Sequence, residues 1–222
     1  MTCRVFPRLI LCLAGPLAAG KNAVADILAV RGFACVDADA LAHRVIAEKR
    51  DEIVRLFQRD AERAGISLVS GGELDRKALG SLLFKNPALL ARQEALVHPE
   101  TERFIAEFIA EHPDRHVAIN AAVLCKTALM VRCPLVLYVD APRIVRFFRV
   151  RRRNRLPARR ILERFRAQRH IRSQYKCANA DIYTIWNNGS FARLEQKVDD
   201  FLRYCEKRGY VIWKKESEHY GL

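Results

Sequence analysis

The sequence predicts an α/β protein: a mostly parallel sheet covered by helices on both faces, with a helical insertion after its second strand and a small basic helical segment after its fourth. Three observations predict it. Short apolar runs rich in β-branched residues recur at Arg8 to Leu13, Phe33 to Val36, Val117 to Ala121, Leu135 to Val139 and Ile182 to Trp186, as strands buried on both faces require. Segments of helical spacing lie between them. From about residue 51 to residue 113 the strand–helix alternation stops and only helical spacing remains.

Taken in order, Arg8 to Leu13 is the first strand, and Gly15 to Asn22 is a loop opening a helix that runs to about Val30. Arg31-Gly32 ends that helix, with glycine suited to the left-handed cap. The apolar run Leu9 to Ala19, behind Arg4 and Arg8, also fits the core of a secretory signal, but the chain continues as a helix beyond Asn22. Asp37-Ala38-Asp39 follows the second strand and caps a helix through Glu48. Asp51 to Ala64 is amphipathic, Ser70-Gly71-Gly72 is a turn, and Glu73 to Phe84, Pro87 to Val97 and Glu100 to Ile109 have helical spacing. Pro142 to Arg153 and Pro157 to Lys176 are two further helices, the first opening on a proline at a tolerated position. Leu194, Val198, Phe201, Leu202 and Cys205 form one face of a final helix, and the polar tail from Trp213 is expected to be mobile.

Composition narrows the class. Half of the 222 residues are hydrophobic, enough for a sizeable core, and no apolar run reaches the roughly 18 residues of a membrane span. The seven cysteines (Cys3, Cys12, Cys35, Cys125, Cys133, Cys177, Cys205) contain no CxxC pair, which argues against a disulfide framework or zinc site and for a reducing cytoplasmic compartment. His112, His116 and His170 have no partners at metal-ligand spacing and are expected at the surface. The net charge of +14 is concentrated: Arg143 to Lys176 holds thirteen arginines and one lysine against a single acid, Glu163. The plain reading is a solvated helical face of a basic protein; the sharper one is a surface for an anionic partner, polyphosphate, nucleic acid or a membrane surface, and the lack of interleaved aromatics weighs against a platform for single strands.

Two short segments carry chemistry. Gly15-Pro16-Leu17-Ala18-Ala19-Gly20-Lys21-Asn22 matches GxxxxGK, in which backbone N–H groups converge on a phosphate at a helix N-terminus and the lysine reaches the β and γ phosphates. It departs from the full pattern in three places. Pro16 lacks an N–H, Ala18 stands where glycine would admit the phosphate more closely, and Asn22 replaces the metal-ligating hydroxyl. An ordinary strand–turn–helix with a surface lysine is the plain alternative; the position directly after the first buried strand favours phosphate. Asp37 and Asp39, two apart, point the same way on an extended segment. Beside a nucleotide, one carboxylate can deprotonate an acceptor hydroxyl and the other can hold the shell of Mg2+; simple helix capping is the alternative.

At Val36-Asp37-Ala38-Asp39-Ala40-Leu41-Ala42-His43 the chain resembles the dephospho-coenzyme A kinases, whose DAD motif follows their second strand. Leu74-Asp75-Arg76-Lys77-Ala78-Leu79 with Phe84, and Leu96-Val97-His98-Pro99, resemble that family's coenzyme-binding insertion. Ala141-Pro142, Arg149, Arg153, Arg164 and Gln168 fall at the spacing of its lid helices, and Ala180-Asp181 with Asn187-Asn188-Gly189-Ser190 resembles its C-terminal motif. The likeness covers about residues 8 to 202. It departs at Ala122-Val123-Leu124-Cys125-Lys126, where the family has a proline-leucine-leucine segment, and at Asn120, where an acid precedes that segment.

The resemblance implies a three-layer P-loop kinase core, 1–50 and 114–142 with 178–208, an inserted helical substrate-binding region, 51–113, and an arginine-rich lid, 143–177, all in one kinase unit. It implies ATP-dependent phosphorylation of the 3′-hydroxyl of dephospho-coenzyme A, with Lys21, Asp39 and Arg149 catalytic. Gly15, Ala18, Ala19, Gly20, Lys21, Asn22, Ala23 and Arg153 would bind ATP, with Asn187 near the adenine. His43, Arg76, Lys77 and His98 would bind the acceptor, and Asn22 and Asp37 Mg2+. A cytoplasmic monomer without a membrane partner is expected. The competing readings are another P-loop nucleoside or nucleotide kinase, and a catalytically impaired nucleotide- or nucleic-acid-binding protein on the same scaffold.

Overall fold

The computed structural model describes residues 8–84, 86–121, 130, 133–154, 156–169, 171–176 and 180–210. The segment Ala122 to Lys126, His170, Cys3, Cys125, Cys177 and the tail from Trp213 lie outside them. In chain order the elements are β1 (Ile10–Ala14), α1 (Lys21–Val30), β2 (Ala34–Asp37), α2 (Ala38–Glu48), α3 (Arg50–Arg63), β3 (Val69–Ser70), β4 (Glu73–Leu74), α4 (Arg76–Leu83), α5 (Pro87–Glu111), β5 (Val117–Asn120), β6 (Leu135–Asp140), α6 (Arg143–Asn154), α7 (Ala158–Ala167), α8 (Ile171–Lys176), β7 (Asp181–Trp186) and α9 (Phe191–Lys207). The chain divides into two compact units. One comprises the residues up to Asp37 and again from Phe108; the other is Ala38–Glu107.

The first unit is built on a five-stranded sheet in the order β2-β5-β1-β6-β7, with every neighbouring pair parallel. Leu11, Cys12, Leu13 and Ala14 of β1 are all fully buried, so the strand shows no polar alternation: as the central strand it is covered on both faces. Val24, Ile27 and Leu28 of α1 pack with Leu194, Val198, Phe201, Leu202 and Cys205 of α9 on one such cover. The five α9 residues are the face expected from their spacing. Cys12, Cys35, Cys133 and Cys205 are thiols outside any disulfide; burial pushes the last two up to about 12, so they act as small apolar groups.

His116 departs from the expected surface position. It is buried, its Nδ1 accepts a hydrogen bond from Leu9 N at 3.0 Å, and its ring packs on Phe33 with centroids 5.3 Å apart. Its polar edge therefore meets a backbone donor while its apolar face joins the core. His112 is half-buried, with Nδ1 2.8 Å from Phe108 O.

The basic segment also differs from the sequence reading. The single helix expected over Pro157 to Lys176 is two, α7 and α8, broken at Gln168-Arg169. The break turns Ile171 and Tyr175 inward, where both are buried. Val150, Ile161 and Phe165 form a small core of their own with Phe147 and Leu156, packed against Leu17 and Ala18. Most of the arginines face solvent, and Arg159 pairs with Glu163 one turn on.

The second unit is helical around Ile53, Phe57, Ala61, Leu68, Leu79, Leu82, Leu83 and Leu89. Ser70 to Gly72 turns as expected, but it closes a hairpin, β3–β4, through Gly71 and Gly72 at φ +59° and +82°. Helix α4 consequently begins at Arg76 rather than Glu73. Asp75 caps it, its carboxylate accepting from Lys77 N at 2.8 Å and Ala78 N at 3.0 Å. Pro99 does not split its helix: α5 runs unbroken past it. Buried Val97 and Ile105 anchor the turns on either side, and Thr101 Oγ1 donates to Val97 O at 2.8 Å. Among the described residues no helix is long and apolar enough to cross a membrane.

Candidate active site

In a parallel sheet the loops at the carboxyl ends of the strands are where a ligand sits, and the first such loop is Gly15–Gly20, between β1 and α1. Two glycines make its path possible. A Cβ at Gly15 (φ +149°) would lie 2.1 Å from Val139 O on β6. One at Gly20 (φ +105°) would lie 2.1 Å from Asn187 Nδ2. Ala18, in contrast, holds φ +60° with a side chain in place, a conformation that costs an L-residue roughly 1–2 kcal/mol.

The outer carbonyls of this loop are held from below. Asn187 Nδ2 donates to Ala19 O at 2.9 Å, and Arg149 Nη1 donates to Ala18 O and Ala19 O, each at 3.3 Å. Arg149 Nη2 closes the cluster on Asn187 O and Oδ1, also at 3.3 Å. Asn187 is itself fixed, its N–H donating to Asp140 O at 2.7 Å. Because each peptide unit is planar and trans, an Ala19 carbonyl turned toward Asn187 directs the Gly20 N–H to the opposite side of the loop. From the end of α7, Gln168 Oε1 accepts from Leu17 N at 2.7 Å.

Helix α1 follows without a side-chain cap and with no acid in its first turn. The amides of Lys21, Asn22 and Ala23 thus open its N-terminus with no intrahelical acceptor, a site whose partial positive charge favours an anion. Lys21 is half-buried and reaches back across the loop, Nζ donating to Gly15 O at 3.1 Å. Exposed Arg153 stands one turn beyond Arg149 on α6.

The metal-side position, Asn22, meets a second amide. Asn120 closes β5, beside Leu13 of β1 and Asp37 of β2 in the strand register. Its Nδ2 donates to Asn22 Oδ1 at 3.1 Å. Asn120 is only 5% exposed, and its Oδ1 is buried without a hydrogen-bond partner, a deficit that costs on the order of 1–3 kcal/mol when unmet.

The structure thus brings together Gly15, Ala18, Ala19, Gly20, Lys21, Asn22, Ala23, Arg149 and Asn187. Asn187, which the resemblance puts near the adenine, has its side chain committed to the loop. Asp37 is half-buried at the end of β2. Asp39, His43, Arg76, Lys77 and His98 belong to the second unit. There Asp39 and His43 share a face of α2, one turn apart, and Arg76 and Lys77 open α4; all four are exposed, and His98 is half-buried on α5.

Sequence reasoning passed over Arg146. It is buried at the inner face of α6, its guanidinium 4.7 Å from the Phe165 ring centroid and its Nε without a hydrogen-bond partner. Burial pushes its pKa down, and the nearby Asp140 carboxylate opposes that shift. Its place one turn before Val150 on the apolar stripe of α6 was the available signal.

Comparison with known proteins gives one family. The profile of the dephospho-CoA kinase family matches residues 9–193. A dephospho-CoA kinase of Treponema denticola is 40% identical over 202 residues, covering 89% of each chain. One of Treponema pallidum is 40% identical over 192 residues, 85% of this chain and 91% of its own. A crystal structure from Thermus thermophilus superposes with a TM-score of 0.74 at 32% identity, covering 90% of this chain and 97% of that one.

Proposed function

The chain belongs to the dephospho-CoA kinase family, and we propose that it transfers the terminal phosphoryl group of ATP to the ribose 3′-hydroxyl of dephospho-coenzyme A, the last step of coenzyme A biosynthesis. One observation carries the site assignment. The Gly15–Gly20 loop has its outer carbonyls tied down by Arg149 and Asn187 and opens directly into the uncapped, acid-free N-terminus of α1, with Lys21 lying over it.

Phosphoryl transfer is mainly positioning and neutralisation of charge. The amides of Gly20, Lys21, Asn22 and Ala23 receive the phosphates, and Lys21 swings from Gly15 O onto the β and γ groups. Arg149 holds the loop in shape and adds positive charge beneath it; Arg153, on the same helix, reaches the phosphates from the lid. Asp39 takes the proton of the attacking hydroxyl, which His43, Arg76, Lys77 and His98 hold by its coenzyme portion. The oxygen donors Asn22, in the first turn of α1, and Asp37 and the unsatisfied Asn120 Oδ1, at the ends of β2 and β5, suit a hard cation such as Mg2+. Mg2+, when bound with the nucleotide, supplies charge neutralisation at the transferring group. Buried thiols outside any disulfide at Cys12, Cys133 and Cys205 favour a reducing, cytoplasmic setting for the reaction.

A coupled assay with dephospho-coenzyme A, ATP and Mg2+ tests this directly. Turnover is expected, and its loss in both Lys21→Ala and Asp39→Ala. No turnover by the wild-type protein, or preference for a nucleoside or AMP in an acceptor panel, overturns the assignment.

A further inference from the structure

The position that carries a hydroxyl in GxxxxGK[ST] loops is filled here by Asn22, and the residue that meets it is another carboxamide, Asn120. The two are joined by one hydrogen bond, Asn120 Nδ2 to Asn22 Oδ1 at 3.1 Å. An amide oxygen has two lone pairs, so this bond leaves Asn22 Oδ1 one more. Asn120 Oδ1, in a residue 95% buried, accepts no hydrogen bond, and buried acceptors of this kind are nearly always met by a donor in the working protein. The pair sits at the phosphate-binding N-terminus of α1 and beside Asp37 in the β2–β5 register.

We propose that Asn22 and Asn120 work as a neutral amide pair on the metal side of the nucleotide. Asn120 Nδ2 fixes the Asn22 carboxamide so that its second lone pair faces the divalent cation accompanying ATP. Asn120 Oδ1 accepts a hydrogen from a water in that cation's shell, since Mg2+ keeps several of its waters when protein-bound. Asn120 is thus a positioning residue, and its orphaned oxygen is the acceptor for the hydrated metal. The pair brings no formal charge. The carboxylate of Asp37 then supplies the negative charge at this corner, and cation affinity is lower than a carboxylate at position 120 would give.

The inference rests on the kinase reading, so its test is direct cation binding, scored separately from turnover. Mn2+ is titrated by electron paramagnetic resonance into the full chain saturated with β,γ-methylene ATP, and affinity for the analogue is measured separately in EDTA. Asn22→Ala and Asn120→Ala are each expected to weaken Mn2+ about tenfold, the scale of losing an outer-shell partner. The double variant is expected to lose little more than either alone, because the two residues act as a unit. Asn120→Asp is expected to tighten Mn2+ at least about threefold by adding a charge beside the cation. Analogue affinity in EDTA should stay within about twofold in the alanine variants, which a merely structural tie between α1 and β5 would not give, and should fall in Asn120→Asp, whose carboxylate repels the phosphates once the cation is removed.

Asn22 is exposed and Asn120→Asp nearly isosteric, so both remain informative if Asn120→Ala does not fold. Unchanged Mn2+ affinity in these two variants, or strictly additive losses in the double variant, overturns the amide-pair proposal alone. Failure of the wild-type protein to bind the analogue overturns the kinase reading and this proposal together.

Discussion

The phosphate loop and the helical unit Ala38–Glu107 hold their candidate residues in opposite ways. Around the loop, buried and half-buried residues fix backbone atoms: Asn187, 7% exposed, spans Ala19 O and Arg149 with its side chain and Asp140 O with its backbone N–H, and half-buried Gln168 takes the Leu17 N–H. In the helical unit Asp39, His43, Arg76 and Lys77 stand exposed on α2 and the first turn of α4, outside the apolar core of that unit. The contrast shows where preorganisation is required. A loop that presents backbone amides must have its shape fixed by its neighbours, whereas a carboxylate or a cation on a helix turn needs only the helix beneath it.

The sharpest break in that comparison is a pair of substitutions. Lys21→Ala and Asp39→Ala are each expected to lower kcat by about 10³-fold or more, in the range of removing a charge-stabilising or proton-accepting group. They should differ in binding. Lys21→Ala weakens ATP in equilibrium titration, whereas Asp39→Ala leaves ATP affinity unchanged and lowers Tm by no more than about 2 °C, the scale of one exposed acid in the first turn of α2. A fall in Tm of several degrees in Asp39→Ala would show that the residue serves as a cap before it serves as a base.

Gly20→Ala is the next largest effect, and it falls on folding as well as activity. Its Cβ would meet Asn187 Nδ2 at 2.1 Å, on a backbone at φ +105°. Strain of this kind costs roughly 1–3 kcal/mol before any movement of Asn187 is counted. For a chain of this size each kcal/mol lowers Tm by about 2–4 °C. A drop of at least about 3 °C in thermal denaturation, with loss of ATP binding, is expected; an unchanged Tm would mean the loop relaxes freely.

How much of this was legible beforehand depends on the distance over which each feature is determined. The strands, α1 and the inner face of α9 follow from runs and spacings within a few residues, and they stand close to where their periodicity puts them. The turn before Lys21 was legible for the same reason; Asp37 and Asp39 do not share an extended segment as expected, because Asp37 closes β2 and Asp39 lies in the first turn of α2. Features set by distant partners were not. His116 is buried because Leu9 N and Phe33, far along the chain, meet its two faces. Helix α5 continues through Pro99 because buried Val97 and Ile105 hold both sides of the missing hydrogen bond. The basic segment breaks at Gln168 where Ile171 and Tyr175 turn into the core. Asn120 was visible as a departure, but its unmet oxygen beside Asn22 exists only once β5 and α1 are packed.

A smaller effect tests the supports rather than the loop. Asn187→Ala removes the amide that holds Ala19 O and meets Arg149, leaving a buried carbonyl and a guanidinium short of partners. Loss of about 1–3 kcal/mol is expected in urea denaturation. ATP affinity should fall further than affinity for dephospho-coenzyme A, because the support belongs to the loop alone. Equal loss of both affinities would mean that Asn187 stabilises the protein as a whole and does not specifically shape the loop.

The smallest effect has opposing contributions whose balance decides its sign. Ala18→Gly relieves a left-handed backbone that costs alanine roughly 1–2 kcal/mol. Against that, glycine makes the unfolded chain more mobile, worth about 0.4–1 kcal/mol. It also deletes a half-buried methyl that packs beside Val150, Ile161 and Phe165, worth less than the roughly 0.8 kcal/mol of a fully buried one. The terms nearly cancel with the strain slightly ahead, so Tm is expected to rise by about 1–2 °C. Ala18→Ser separates the contributions, since it keeps the Cβ and the strain; its Tm should not rise. If Ala18→Gly instead lowers Tm by about 3 °C or more, the methyl belongs to the small core of Val150, Ile161 and Phe165. The loop would then owe its shape to apolar packing from α6 and α7 as much as to Arg149 and Asn187.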